Sequence, residues 1–261
     1  MKFIYGTDLH GDQAKYNTLL EFAVKHDIKL IHLGADILPK GSNLLEVQKN
    51  FLKNFMKDFY RKAQDNGITL LTSFGNDDLY SRKKYFREYG TLLDEKPYTF
   101  EGFEFSSYPY VCDYPFPLKT ACKLDHRGWE RPAVEYGLDE VLKFIPNLDL
   151  FFANRSTIEE DLNVFPGKDI VAVHMPPWAL SLDVCVDGRR VGSKSVFNWI
   201  ERVQPRLVLC GHIHESYRQT GIWTVAIGKT LVVQPGQLIS ATHFVYFDIN
   251  KDKIESSLVE I

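Results

Sequence analysis

From Lys2 to Phe74, short apolar runs alternate with stretches in which apolar residues recur every three or four positions. Lys2–Thr7 reads as a strand, and Asp12 opens a helical pattern through His26 with Leu19, Leu20, Ala23 and Val24 on one face. Ile28–Leu33 is a second strand. Asn43–Asp65 is a long helix with Leu44, Val47, Phe51, Phe55 and Phe59 along its apolar side and Asn66-Gly67 as its stop signal. Ile68–Phe74 is the third strand. Strands and helices alternating through short connections predict a parallel sheet covered by helices.

Residues 78–166 interrupt this rhythm. Tyr108 to Pro117 is too rich in proline and aromatics for a regular element, and Lys119, Lys123, His126, Arg127, Glu130 and Arg131 follow it. The segment reads as an irregular aromatic and basic insertion carrying two helices, about Pro132–Ile145 and Ser156–Leu162. Long loops in compact domains are usually functional. The α/β pattern resumes with a strand at Asp169–Val173, a helix at Ser193–Arg202 and a strand at Arg206–Cys210. Beyond it, Ser216–Thr220, Trp223–Ile227, Thr230–Val233, His243–Ile249 and Lys253–Val259 read as short strands. Thr220-Gly221, Gly228-Lys229 and Asn250-Lys251 serve as their turns.

Composition narrows the options. The 261 residues, 44% hydrophobic, are read as one domain spanning 1–261, large enough to bury a core without disulfides or a structural metal. A net charge of −3 gives no general attraction to nucleic acid or membranes. Cys112, Cys122, Cys185 and Cys210 show no paired spacing, so neither a disulfide framework nor a thiolate zinc site is expected. No apolar run approaches the ~20 residues of a membrane span, and Met1 leads directly into a strand. A cytoplasmic protein is the expectation.

Four of the eight histidines directly follow strand segments, at the C-terminal ends where α/β sheets place their sites. The first strand ends in Thr7-Asp8-Leu9-His10, the second in Gly34-Ala35-Asp36 and the third in Gly75-Asn76-Asp77-Asp78. Later strands end in Val173-His174 and Gly211-His212-Ile213-His214. In an extended chain, residues i and i+2 share a side, so Asp8 with His10, and His212 with His214, can converge on an ion. Each piece alone also reads as a turn or a helix cap. Five together at strand ends read as a metal site.

The ordered series D-x-H, G-x-D, G-N-x-D, V-x-H and G-H-x-H resembles the calcineurin-like metallophosphoesterase superfamily, from Asp8 to His214. The resemblance implies an α/β fold of two face-to-face β-sheets flanked by helices, a four-layer αββα sandwich. It implies one metal on Asp8, His10 and His214, a second on Asn76, His174 and His212, and Asp36 bridging them. Oxygen and imidazole donors suit two divalent ions such as Mn, Fe or Zn. The implied activity is in-line attack of a dimetal-activated water on a small phosphodiester or phosphomonoester. The alternative is a degenerate member of this fold acting as a protein-binding scaffold, which loss of metal ligands would favour.

Two positions depart from the family pattern. Gly34-Ala35-Asp36 is one residue longer than the usual G-D. Asp77 takes the position of a histidine that protonates the leaving group in relatives that have it, and a carboxylate beside two cations has no proton to give. Esters with activated leaving groups are therefore the expected substrates. Arg127 and Lys119, with Lys123 and Arg131, are candidate phosphate contacts, and Tyr108, Tyr110 or Trp129 candidate stacking surfaces; a solvated loop is the alternative. Long nucleic acid is not an expected partner, and the oligomeric state is left open.

Overall fold

The computed structural model describes residues 1–89, 91–94, 96–132, 134 and 136–261. The first half delivers strands β1 (Lys2–Gly6), β2 (Leu30–Leu33), β3 (Thr69–Thr72) and β4 (Thr91–Leu92). Helix α1 (Gln13–Lys25) follows β1. Between β2 and β3, α2 (Leu44–Phe51) and α3 (Lys57–Asp65) are joined through a π-helical turn at Leu52–Met56. Phe51, Phe55 and Phe59 stack along this continuous helix, with ring centroids 5.1 and 5.9 Å apart. Helix α4 (Lys83–Tyr89) precedes β4.

The middle segment is more regular than its composition predicts. Strands β5 (Tyr98–Phe100) and β6 (Phe103–Tyr108) form a hairpin around Glu101-Gly102, both with positive φ, as a type I′ turn requires. Short β7 (Val111–Cys112) pairs with β8 (Cys122–Lys123). The helices are α5 (Leu148–Ala153), capped by Asn147, and α6 (Ile158–Val164), closed by a capping box of Thr157 and Glu160. The helix expected at Pro132–Ile145 does not form among its described residues; positions 133 and 135 lie outside them. Leu138 instead bridges to Leu118 and Phe144, and Asp139 accepts from the amides of Val141 and Lys143. That local bonding competes with a helix.

The chain then runs through β9 (Ile170–Val173), α7 (Lys194–Val203), β10 (Leu207–Leu209) and α8 (Ser216–Thr220), and closes with β11 (Thr224–Ile227), β12 (Thr230–Val233), β13 (His243–Ile249) and β14 (Ile254–Glu260). Ser216–Thr220 is thus a helical turn, not a strand. Thr220 Oγ1 bonds back to the Ser216 carbonyl, and Gly221 ends the turn at φ 70°. The hairpin at Gly228-Lys229 is as expected, whereas the one begun by Asn250-Lys251 closes through four residues, Ile249 pairing with Ile254.

Two six-stranded sheets result, β14-β13-β1-β2-β3-β4 and β11-β12-β10-β9-β6-β5. Alternation along the strands splits the core into three layers. Phe3, Tyr5, Ile170, Ala172, Leu207 and Leu209 pack between the sheets. Ile4 and Ile31 face α1 and the α2–α3 helix, whereas Val171, Val173 and Val208 face Trp199 of α7 and Leu162 of α6. This is the four-layer αββα arrangement. Residues 78–166 are no appendage, since β4 belongs to the first sheet and β5 and β6 to the second. Among the described residues no helix is long and apolar enough to cross a membrane.

Candidate metal centre

Strands β1, β2 and β3 are adjacent and parallel, so their carboxyl ends deliver Asp8, Asp36 and Asn76 side by side. Parallel β9 and β10 bring His174 beside His212 and His214 from the opposing sheet. The two sets meet at the mouth of the sandwich. His214 Nε2 lies 3.3 Å from Asp8 Oδ1 and 3.0 Å from His10 Nε2. His174 Nε2 lies 3.2 Å from both Asp36 Oδ2 and Asn76 Oδ1. Donor atoms of Asp8, His10 and His214 fall within 4.8 Å of one another, as do those of Asp36, His174 and His212. His10, Asp36 and Asp77 make a third such group, which shares His10 with the first and Asp36 with the second.

The backbone reaches this convergence differently from the extended chain that the i, i+2 spacing assumes. Asp8, His10, Asp36 and His212 have φ of 56°, 45°, 53° and 73°, a left-handed region that few residues with a Cβ occupy. Such strain gathers at functional sites and is held by the surroundings. Here the Asp8 amide donates to the Ala35 carbonyl (2.9 Å) and the His10 amide to that of Asp36 (3.0 Å). The His212 amide donates to both Asp8 oxygens (3.0 and 3.1 Å). In consequence Asp8 and His10 share a group, while His212 and His214 join different ones. The additional residue of Gly34-Ala35-Asp36 supplies the carbonyl that receives Asp8.

Glycines beside these side chains are set by space. A Cβ at Gly75 would sit 2.2 Å from Asp36 Oδ1, and one at Gly211 would sit 2.4 Å from Thr7 Oγ1 and 2.6 Å from Asp8 Oδ2. Two further side chains, read in the sequence only as turn and helix residues, hold the loops. Buried Asp78 accepts from the amides of Ile37 (3.3 Å), Leu38 (2.8 Å) and Gly75 (3.0 Å), joining the Asp36 and Asn76 loops. Gln48, buried on α2, donates to the Asp77 and Pro39 carbonyls and accepts from the Leu79 amide. The pattern G-N-x-D carried the signal for Asp78; Gln48 carries none beyond being polar on a helix.

Asp77 Oδ2 receives the Lys40 ammonium at 2.8 Å and lies 3.9 Å from His10 Nδ1. Its Oδ1 accepts from Asn76 Nδ2 (3.1 Å), which leaves the amide oxygen of Asn76 facing His174. Burial alone would raise the Asp8 carboxyl, but the imidazoles of His214 and His174 outweigh it and bring it to about 2. Burial likewise lowers His10 to about 4 and His212 to about 3. His174 goes the other way: the Asp36 carboxylate overcomes burial and lifts it to about 9. His10 Nδ1 and His174 Nδ1 are buried without a hydrogen-bond partner. Clustered carboxylate, imidazole and amide-oxygen atoms facing one another at these distances are a donor set that fits divalent cations.

The aromatic segment closes one side. Tyr114 stacks on the His212 ring at 6.4 Å and Phe116 meets it edge-on at 5.9 Å. The basic residues of that segment are engaged elsewhere. Lys119, the expected phosphate contact, is fully buried on Asp113 (2.6 Å) and the Tyr114 carbonyl. Arg127 lies on the surface in a two-pronged pair with Glu160 (2.8 Å each). Lys123 pairs with Asp161, and Arg131 with Asp113 and Asp149. Tyr108 is buried with its hydroxyl on Asp161, which removes it as a stacking surface. Carboxylates from the same segment thus neutralise each cation, Lys119 among them; the expected phosphate role of Lys119 and Arg127 finds no free charge.

A family model described as calcineurin-like phosphoesterase matches residues 1–216. The fold is similar to that of TT1561 of Thermus thermophilus, at 15% identity and TM-score 0.57, covering 98% of this chain and 97% of that one. It is also similar to a dimetal phosphatase from Danio rerio, at 10% identity and TM-score 0.56, covering 100% and 98%. No curated protein matches the sequence.

Proposed function

Since the chain belongs to the calcineurin-like phosphoesterase family, whose members are metal-dependent phosphoesterases with a dinuclear centre, we propose that it hydrolyses a small phosphodiester with an activated leaving group. The observation that carries this reading is the pair of donor groups, Asp8-His10-His214 and Asp36-His174-His212, meeting across the two sheets with Asn76 beside the second. Two divalent cations held there would lower the pKa of a water and neutralise phosphoryl oxygens. In this reading Asp36, the carboxylate that groups with His174 and His212 and also with His10, is the shared ligand, and Mn²⁺, Fe²⁺ or Zn²⁺ the metal.

The chain's own residues shape the remaining chemistry. Both oxygens of Asp77 accept, one from Lys40 and one from Asn76. Burial and the Asp36 carboxylate push the Asp77 carboxyl up and the Lys40 ammonium opposes them; a carboxylate accepting on both oxygens orients Asn76 and has no proton to offer a departing oxygen. His10, neutral at physiological pH, is a ligand and not an acid. Leaving groups that depart as stable anions are therefore favoured.

A phosphoester panel with added Mn²⁺, Zn²⁺ or Fe²⁺ tests this. Bis(p-nitrophenyl) phosphate is expected to turn over faster than dialkyl diesters and p-nitrophenyl phosphate, and His174→Ala to lose activity by more than about 100-fold. Equal rates on aryl and alkyl diesters would discard the role given to Asp77. Absence of metal-dependent turnover on every ester would leave the scaffold reading.

A further inference from the structure

A cavity of about 280 Å³ lies on the far side of Asp77 and Phe116 from the candidate ligands. Its polar end is the Lys40–Asp77 ion pair, and its walls include Phe116, Leu118, Leu138 and Leu142. Two contacts join it to the ligands. Asp77 follows Asn76 and reaches to 3.9 Å from His10, while Phe116 touches the edge of His212. A group extending from the metal centre on this side passes one neutralised ion pair and then meets apolar surface. Leu118 is buried, whereas Phe116, Leu138 and Leu142 keep part of their surface uncovered.

Size and polarity restrict the occupant. A dry cavity of about 150 Å³ takes a benzene ring, so this one has room for a ring or short alkyl chain with substituents. Pockets that enclose a whole drug-sized ligand run to about 300–1,000 Å³. The hydroxyls of a sugar would lose their hydrogen bonds against these leucines.

We propose that this cavity is the subsite for one ester arm of the substrate, an aromatic or short alkyl group attached to the phosphoryl group at the metal centre. The inference rests on the phosphoesterase reading and adds a substrate class to it: phosphodiesters with a hydrophobic arm. It also gives the irregular middle segment, which supplies Phe116, Leu118, Leu138 and Leu142, a task.

Calorimetric titration of the Mn²⁺-loaded protein with methyl-, butyl- and phenylphosphonate reads the arm without turnover. Each buried methylene is worth about fourfold in affinity at most, so butyl- and phenylphosphonate should bind at least ~10-fold tighter than methylphosphonate. Leu142 has φ 62°, a conformation asparagine accepts readily, so Leu142→Asn keeps the backbone and makes the wall polar. In that variant the ratio should fall below about threefold. Equal affinities for methyl- and butylphosphonate in the native protein, no binding of either, or an unchanged ratio in Leu142→Asn would each overturn the subsite. Turnover with a flat ratio would reject the subsite and keep the phosphoesterase; a steep ratio without turnover would do the reverse.

Discussion

At Gly211 a single methyl group is enough to disturb the centre. It would press on Thr7 Oγ1, on Asp8 Oδ2 and, at 3.1 Å, on His174 Nδ1. These follow the ends of β1 and β9, one in each sheet, and Asp8 is further held by the His212 amide. Gly211→Ala is therefore expected to weaken Mn²⁺ or Zn²⁺ binding roughly 10- to 100-fold, the range found when a ligand's support is altered, while the protein still folds. Calorimetric titration of metal into the variant measures it, and unchanged affinity would mean the loop can shift at no cost. The left-handed backbone at Asp8, His10, Asp36 and His212 belongs to the same scale.

Among the elements, the continuous helix of α2 and α3 does more than cover the first sheet. Through Gln48 it grips the Pro39 and Asp77 carbonyls and the Leu79 amide, so a helix side chain sets the position of two site loops. Gln48→Leu strands these buried groups. The expected cost is about 2 kcal/mol, a fall in Tm of roughly 4–8 °C for a chain of this size, measured by thermal melting. A loss under about 1 °C would mean the loops stand without it. The strand ends bearing the ligands were legible in sequence because apolar run, glycine and ligand follow one another within a few residues. The middle segment was not. Phe103–Tyr108 runs straight into prolines that obscure a strand, and Lys119 looked available because Asp113 shows no periodic relation to it. Pairs such as Lys123 with Asp161, 38 positions apart, exist only once the chain has folded.

For the molecule as a whole, the centre ties stability to pH and metal together. Without metal, the Asp36 carboxylate lifts His174 to about 9, above its ordinary 6.5. The folded state then binds more protons than the unfolded one between those values, and stability falls as pH rises through that window. His10 and His212, held near 4 and 3, act oppositely: below about 6.5 the unfolded chain takes up protons that the folded one refuses, and stability falls with acid. Metal-free Tm is thus expected to peak near pH 6.5 and decline toward both pH 9 and pH 4. A bound cation requires neutral imidazole and displaces the His174 proton, so metal affinity grows as that proton becomes easier to lose. The rise in Tm on adding saturating Mn²⁺ should accordingly be larger at pH 8.5 than at pH 6.5. Calorimetric scans with and without metal at the two pH values decide the matter. An increment that is flat or shrinks with pH would separate His174 from the metal, and with it the role of the second donor group.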